Sequence, residues 1–146
     1  MKLIFIRHGQ TDWNKEKKLM GQTDIPLNEE GLAQARAVAE TLAGDFDALY
    51  SSPLKRAYQT AEIISERLKK PIIVREELKE RGFGSLAGQS WDEIAVATKE
   101  DLKAVTKEER YDFRPWGGES AEDVTARLTA FLDDLKTHDY KKVLIV

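Results

Sequence analysis

The chain has 146 residues, 41% hydrophobic and 34% charged, with a formal net charge of -3 and an isoelectric point near 5.5. That length suits one domain around one core, since chains divide further only at about 250 to 300 residues, and the acidic balance excludes a global field that draws nucleic acid or anionic membrane. With no cysteine, disulfides, thiolate nucleophiles and thiolate metal sites are excluded, and with only two histidines no zinc site is expected.

Leu3 to Ile6 is a short continuous apolar run, the pattern of a strand covered on both faces in a parallel sheet, and it sets His8 just beyond the strand's carboxyl end. The run is shorter than the roughly 7 to 15 residues of a signal peptide's hydrophobic region, and Arg7 ends it. No stretch of about 20 apolar residues follows, so a cytoplasmic protein is expected. From Asn28, a residue type suited to an N-cap, Leu32, Ala35, Val38, Ala39 and Leu42 repeat at helical spacing up to Gly44. Ala48 to Tyr50 reads as a second strand, and Ser52-Pro53 as the N-cap and first position of a helix that buries Ala57, Ala61, Ile64 and Leu68. Arg56 then falls in that helix's first turn.

Pro71 breaks the chain before a third strand, Ile72 to Val74. Ser90 and Glu93 have capping-box spacing ahead of Trp91, Ile94 and Ala97, and Trp91 reads as a core residue. The charged stretch from Thr98 to Asp112 reads as a solvated helical flap, with a lid over the pocket as its functional alternative. After a loop at Pro115 to Gly118, Ser120 caps a helix whose Val124, Leu128, Phe131, Leu132 and Leu135 face the core, and Val143 to Val146 begins another buried strand. Strands alternating with helices give an α/β fold on a mostly parallel sheet, whose ligands bind at the strands' carboxyl ends.

Two such ends carry Arg7-His8-Gly9 and Ser51-Ser52-Pro53-Leu54-Lys55-Arg56. A dianionic phosphoryl group needs permanently charged, planar donors, which Arg7 and Arg56 supply as forks, and a helix start at Ser52 would add oriented N–H groups. His8 is the nucleophile candidate, because without cysteine few side chains can attack phosphorus and then leave as a stable group. Imidazole attacks only when neutral, so a backbone carbonyl on its other ring nitrogen is expected to fix the tautomer. Gly9 is expected to let the backbone approach a ligand closely.

Taken alone, each of these residues is ordinary: a loop histidine, a strand-end arginine, a helix-surface arginine. Together they sit in segments that resemble the histidine phosphatase superfamily, which includes the cofactor-dependent phosphoglycerate mutases and many small phosphatases. The resemblance runs through Leu3 to Asn14 (LIFIRHGQTDWN), Gly21 to Gly31 (GQTDIPLNEEG), Ser51 to Glu62 (SSPLKRAYQTAE), Leu78 to Gly84 (LKERGFG) and Gly117 to Ser120 (GGES), in the family's order and over nearly the whole chain. It implies a phosphoglycerate mutase-like three-layer sandwich, a mostly parallel sheet with helices on both faces. It also implies that His8 is the phosphorylated histidine, that Arg7 and Arg56 clamp the phosphate, and that Asn14 contacts it too. Glu80 matches the acid that protonates the leaving oxygen and later activates water, and a bound phosphate dianion favours the protonated form that role needs first. Gln22 and Thr23 lie where family members contact substrate.

Two departures stand out. Many members carry an acidic residue at Ala87, and the family's second histidine follows a strand like Val143 to Val146, which places it beyond residue 146. His138 precedes that strand and lies toward the opposite edge of the sheet, so it is expected in a solvated or capping role. The expectation is therefore one histidine phosphatase-like domain over 1–146, incomplete at its carboxyl end. The leading function is hydrolysis of a small-molecule phosphomonoester through a phosphohistidine, with no cofactor and no metal. A phosphoglycerate mutase is the nearest rival, disfavoured because Gln89 to Trp116 is short for the segment in which mutases of this kind hold substrate. A noncatalytic phospholigand-binding module is the alternative of another class. Small phosphorylated molecules are the expected partners, without nucleic acid or membrane, and the oligomeric state stays open, a homodimer included.

Overall fold

The runs Ala48–Ser51 and Lys142–Ile145 lack the alternation of a half-exposed strand, and both become inner strands of a parallel sheet. The computed structural model describes residues 1–97 and 112–146. The charged stretch expected as a flap or lid therefore lies almost wholly at 98–111, outside the described residues. Among the described residues the sheet has four strands, β1 (Lys2–Phe5), β2 (Ala48–Ser51), β3 (Ile72–Val74) and β4 (Lys142–Ile145), all parallel in the order β1-β4-β2-β3. The register sets Phe5 beside Ile145 and Ile145 beside Tyr50.

Among the described residues five α-helices accompany these strands: α1 (Asp12–Lys15), α2 (Glu29–Thr41), α3 (Lys55–Leu68), α4 (Trp91–Ala97) and α5 (Ala121–Lys136). Right-handed crossovers dictate where the long ones go. From β1 through α2 to β2, and through α3 to β3, the chain advances in one direction, so α2 and α3 cover the same face. From β3 it returns to insert β4 between β1 and β2, so α5 lands on the other face. The side chains follow this division. Leu49 and Leu144 pack with Ala39, Phe46 and Ile64 on one side. Ala48, Tyr50, Val143 and Ile145 pack with Phe131 and Leu135 on the other, where Tyr50 and Phe131 meet edge to face at 5.3 Å. The result is the expected three-layer α/β sandwich.

Local chemistry sets the helix starts. Asn28 caps α2 by accepting the Gly31 N–H, Ser120 and Asp123 form a capping box on α5, and Ser90 and Glu93 form another on α4. Three expectations need correction. The run from Leu3 to Ile6 is covered only in part: Leu3 packs against the core on one face and Ile4 and Ile6 on the other, but Phe5 is 68% exposed. Trp91 is no core residue: it opens α4 and is 59% exposed, meeting Phe83 edge-on at 6.4 Å. Val124 and Leu128 are outside the α5 core stripe of Phe131, Leu132 and Leu135 and line a cleft at the carboxyl ends of the strands. A smaller apolar cluster, Leu19, Leu86, Ile94 and Phe113, supports the loops around residues 80–90. Among the described residues no helix is long and apolar enough to cross a membrane.

Candidate active site

β1 and β2 are separated by β4, a gap of roughly 9.6 Å at the usual strand spacing. The loops leaving their carboxyl ends therefore flank an opening above Ile145 and Val146. This is a cleft of ≈ 340 Å³ into which Arg7, His8, Ser52, Arg56 and Glu80 project, together with Lys79 and Arg81. Leu54, Leu78, Val124 and Leu128 form its apolar wall. Four residues expected to act together, His8, Arg7, Arg56 and Glu80, are thus brought to one place.

His8 Nδ1 donates to the Gly9 carbonyl at 2.7 Å. A carbonyl can only accept, so the proton sits on Nδ1 and the lone pair on Nε2. Burial above all, with the Arg56 and Arg7 charges, holds the imidazole below the usual histidine value, against the opposing pull of the Gly9 carbonyl and the Glu80 carboxylate. A lowered value favours the neutral ring at neutral pH, and the ring takes up a proton as pH falls through that lowered value. A titration of the His8 ring protons by NMR is expected to give a midpoint below about 6.5; a midpoint above it would contradict a resident neutral imidazole.

The loop that carries His8 is fixed from outside. The Gly9 N–H donates to Thr60 Oγ1 at 3.3 Å, and that hydroxyl donates to the Arg56 carbonyl at 2.8 Å, which ties the two halves of the site together. Gly9 is needed for a reason other than the expected ligand approach: a Cβ there would lie 2.2 Å from the Gly31 carbonyl oxygen. The space belongs to the first turn of α2, whose Asn28 also grips Gln10 through Oε1 and the backbone.

Arg56 is 2% exposed and donates through Nη1 to the Thr23 carbonyl at 2.9 Å and through Nη2 to the Gly21 carbonyl at 2.6 Å. Burial pushes its guanidinium below the usual arginine value, while Glu80 and Asp24 offset part of that. The helix that carries it begins later than expected. Leu54 is the N-cap of α3, with Ser52 Oγ accepting the Leu54 N–H and Asp24 accepting the Lys55 N–H at 2.7 Å. A carboxylate distant in sequence therefore caps α3, and one of the N–H groups expected to face a phosphate is already engaged.

Arg7 is exposed at the cleft, and Glu80 is exposed with Oε1 accepting the Arg81 N–H at 2.8 Å. The other expected contacts stand back from the cleft lining. Asn14 uses Oδ1 to accept from Thr11 and close the α1 capping box. Gln22 binds the Glu80 carbonyl and Glu119, and Thr23 serves Arg56 through its backbone. His138 is exposed and stacked on Tyr140 before β4, away from the cleft as expected. Thr60, Asp24, Glu119 and Arg127 escape a reading of the sequence, because their roles arise from contacts between distant segments. A larger depression of ≈ 730 Å³ between α2 and α3, lined by residues such as Arg36, Glu40, Glu66 and Arg67, lies apart from the strand ends. Among the described residues no three histidine, aspartate or glutamate side chains cluster as metal ligands would.

Residues 3–146 match the histidine phosphatase superfamily (branch 1). The chain belongs to that superfamily. As a histidine phosphatase superfamily member, it is 39% identical over 147 residues to the uncharacterised phosphatase PhoE of Bacillus subtilis, covering 99% of this chain and 69% of that protein. It is 38% identical over 132 residues to a 2,3-bisphosphoglycerate-dependent phosphoglycerate mutase of Methylobacterium radiotolerans, covering 86% and 62%. Its fold superimposes with a TM-score of 0.87 on a mycobacterial glucosyl-3-phosphoglycerate phosphatase solved with VO3, at 32% identity, covering 99% of this chain and 74% of that one. The chain spans about two thirds of the length of the curated relatives it matches, 69% of PhoE and 62% of the mutase.

Proposed function

We propose that the protein hydrolyses a small-molecule phosphomonoester by way of a phosphohistidine on His8. The observation that carries this reading is the His8 Nδ1–H held by the Gly9 carbonyl at 2.7 Å, in a cleft that also holds Arg7, Arg56 and Glu80. Nε2 then has the lone pair for attack on phosphorus. The P–O bond to the leaving group breaks as the P–N bond forms, and Glu80 gives its proton to the departing oxygen. The Glu80 carboxylate next takes a proton from water, the water oxygen bonds to phosphorus, and the P–N bond breaks to free His8. Arg7 and Arg56 neutralise the charge on the transferred group throughout.

The names of the relatives support phosphatase chemistry on two sides, PhoE and the mycobacterial glucosyl-3-phosphoglycerate phosphatase. The Methylobacterium mutase keeps a second outcome in play, in which the phosphoryl group returns to a substrate hydroxyl instead of water. Assaying the full-length protein for phosphate release beside interconversion of 3- and 2-phosphoglycerate separates the two. Release is expected to dominate; dominant interconversion would make the protein a mutase.

A further inference from the structure

The segment GGES matters to the resemblance, yet the proposed chemistry gives its glutamate nothing to do. Glu119 is three-quarters or more buried, its side chain 22% exposed, and it is the acceptor at the centre of a network around the loop that bears Glu80. Its Oε2 accepts the Gly82 N–H at 2.8 Å, and its own N–H donates back to the Gly82 carbonyl at 2.9 Å. The two loops meet backbone to backbone: a Cβ on Gly118 would lie 2.3 Å from the Gly82 oxygen, and one on Gly84, where φ is +57, 1.7 Å from the Trp116 oxygen. No side chain can be interposed there, so the Glu80 loop takes its position from the loop that ends in Glu119.

Arg127, two turns along α5, completes the frame. Its Nε and Nη2 grip Glu119 at 2.9 and 3.1 Å, and its Nη1 donates to the Glu77 carbonyl at 2.5 Å. The two residues thereby hold the chain on both sides of Glu80, at Glu77 before it and Gly82 after it. Gln22 then joins the frame to the phosphate side of the cleft, its Nε2 donating both to Glu119 and to the Glu80 carbonyl at 3.1 Å. Gln22 lies between Gly21 and Thr23, the two residues whose carbonyls hold Arg56. The Arg127 charge and the Gly82 N–H keep Glu119 below the usual carboxylate value despite its burial, so it stays an acceptor.

We infer that Glu119 and Arg127 are positioning residues that set the distance between the Glu80 carboxyl and the phosphate held by Arg56. The inference rests on the reading of Glu80 as the proton donor, and the test separates the two. Proton donation matters most for a poor leaving group, so kcat/KM is compared for an alkyl phosphate and for p-nitrophenyl phosphate, whose leaving group needs little protonation. Glu119→Gln keeps the volume but turns an N–H donor toward Gln22 or Arg127. It is expected to lose about 10²-fold on the alkyl phosphate and little on the nitrophenyl ester, the same selectivity as Glu80→Gln, with inhibition by inorganic phosphate unchanged. Equal losses on both esters, with selectivity kept in Glu80→Gln, overturn the positioning inference alone. A Glu80→Gln variant without selectivity overturns the reading beneath it and the inference with it. Should Glu119→Gln fail to fold, Arg127→Lys keeps the charge and removes the fork; a smaller loss of the same selectivity supports the inference, and a uniform loss overturns it.

Discussion

His8→Ala is expected to abolish phosphate release almost completely, by on the order of 10⁴-fold or more, while the protein stays folded. The size follows from the chemistry. Removing a nucleophile leaves only the binding and charge-stabilising part of the site, which in comparable hydrolases retains a small residue of the rate. The survival of the fold follows from the contacts. The hydrogen bond of the His8 ring is to its neighbour Gly9, and what anchors the loop is backbone: Gly9 N–H to Thr60, and Gln10 held by Asn28 and Gln34. Truncation at a half-buried position whose ring bond is local costs about 1 kcal/mol. Circular dichroism should therefore match the parent. Acid-quenched protein after exposure to phosphorus-labelled substrate should carry acid-labile label in the parent and none in the variant. Parent-like turnover in His8→Ala would move the nucleophile elsewhere and remove the basis of the proposed mechanism.

Whether a feature is legible in the sequence depends on whether its deciding contact is local. β1, β2, β3 and β4 stand in the sequence as apolar runs, and Asn28, Ser90 and Ser120 mark helix starts, because a cap is a contact within three residues. The start of α3 is not at Ser52, where local residue types put it, because its real partner is Asp24, 31 residues away, and nothing nearby announces that bond. Trp91 defeats an expectation from residue type: a large apolar ring belongs inside on average, but at the first position of a short surface helix it meets Phe83 at its edge and is otherwise largely exposed. Gly9 has the expected property and a different neighbour, since the space its missing side chain leaves is filled by Gly31 of α2. Of the site, His8, Arg7, Arg56 and Glu80 can be named from their segments. Glu119 and Arg127 cannot, nor can the link of Gln22 to them, because the frame joins residues 22, 77, 82, 119 and 127. The one faint signal is spacing: Glu119 directly precedes the Ser120 cap, and Arg127 follows two turns later on the same helix.

Arg56→Lys is expected to damage catalysis and stability by separate routes, and the two losses can be read apart. The guanidinium has five N–H donors, and two of them already serve the Gly21 and Thr23 carbonyls. Three remain for a phosphoryl group, which is enough for a fork, whereas a lysine ammonium has three in all, so that keeping both carbonyl contacts would leave it one, too few for a fork. On the catalytic side the loss resembles removal of a preorganised donor to a charged transition state, about 10² to 10³ in kcat/KM. On the stability side an acceptor left without its partner in a buried place costs about 1 to 3 kcal/mol, seen as an earlier urea midpoint with unchanged slope. Kinetics are measured well below that midpoint, so that unfolding does not enter the rate. Arg7→Lys is the control, since Arg7 is exposed: its stability should hold while kcat/KM falls. If Arg56→Lys loses stability and keeps its kcat/KM, Arg56 is a tie for the Gly21 to Thr23 loop and the phosphate clamp belongs to Arg7 alone. A clamp built on one exposed arginine has no buried partner to orient it, and the coupling of Arg56 to His8 through Thr60 would then serve packing only.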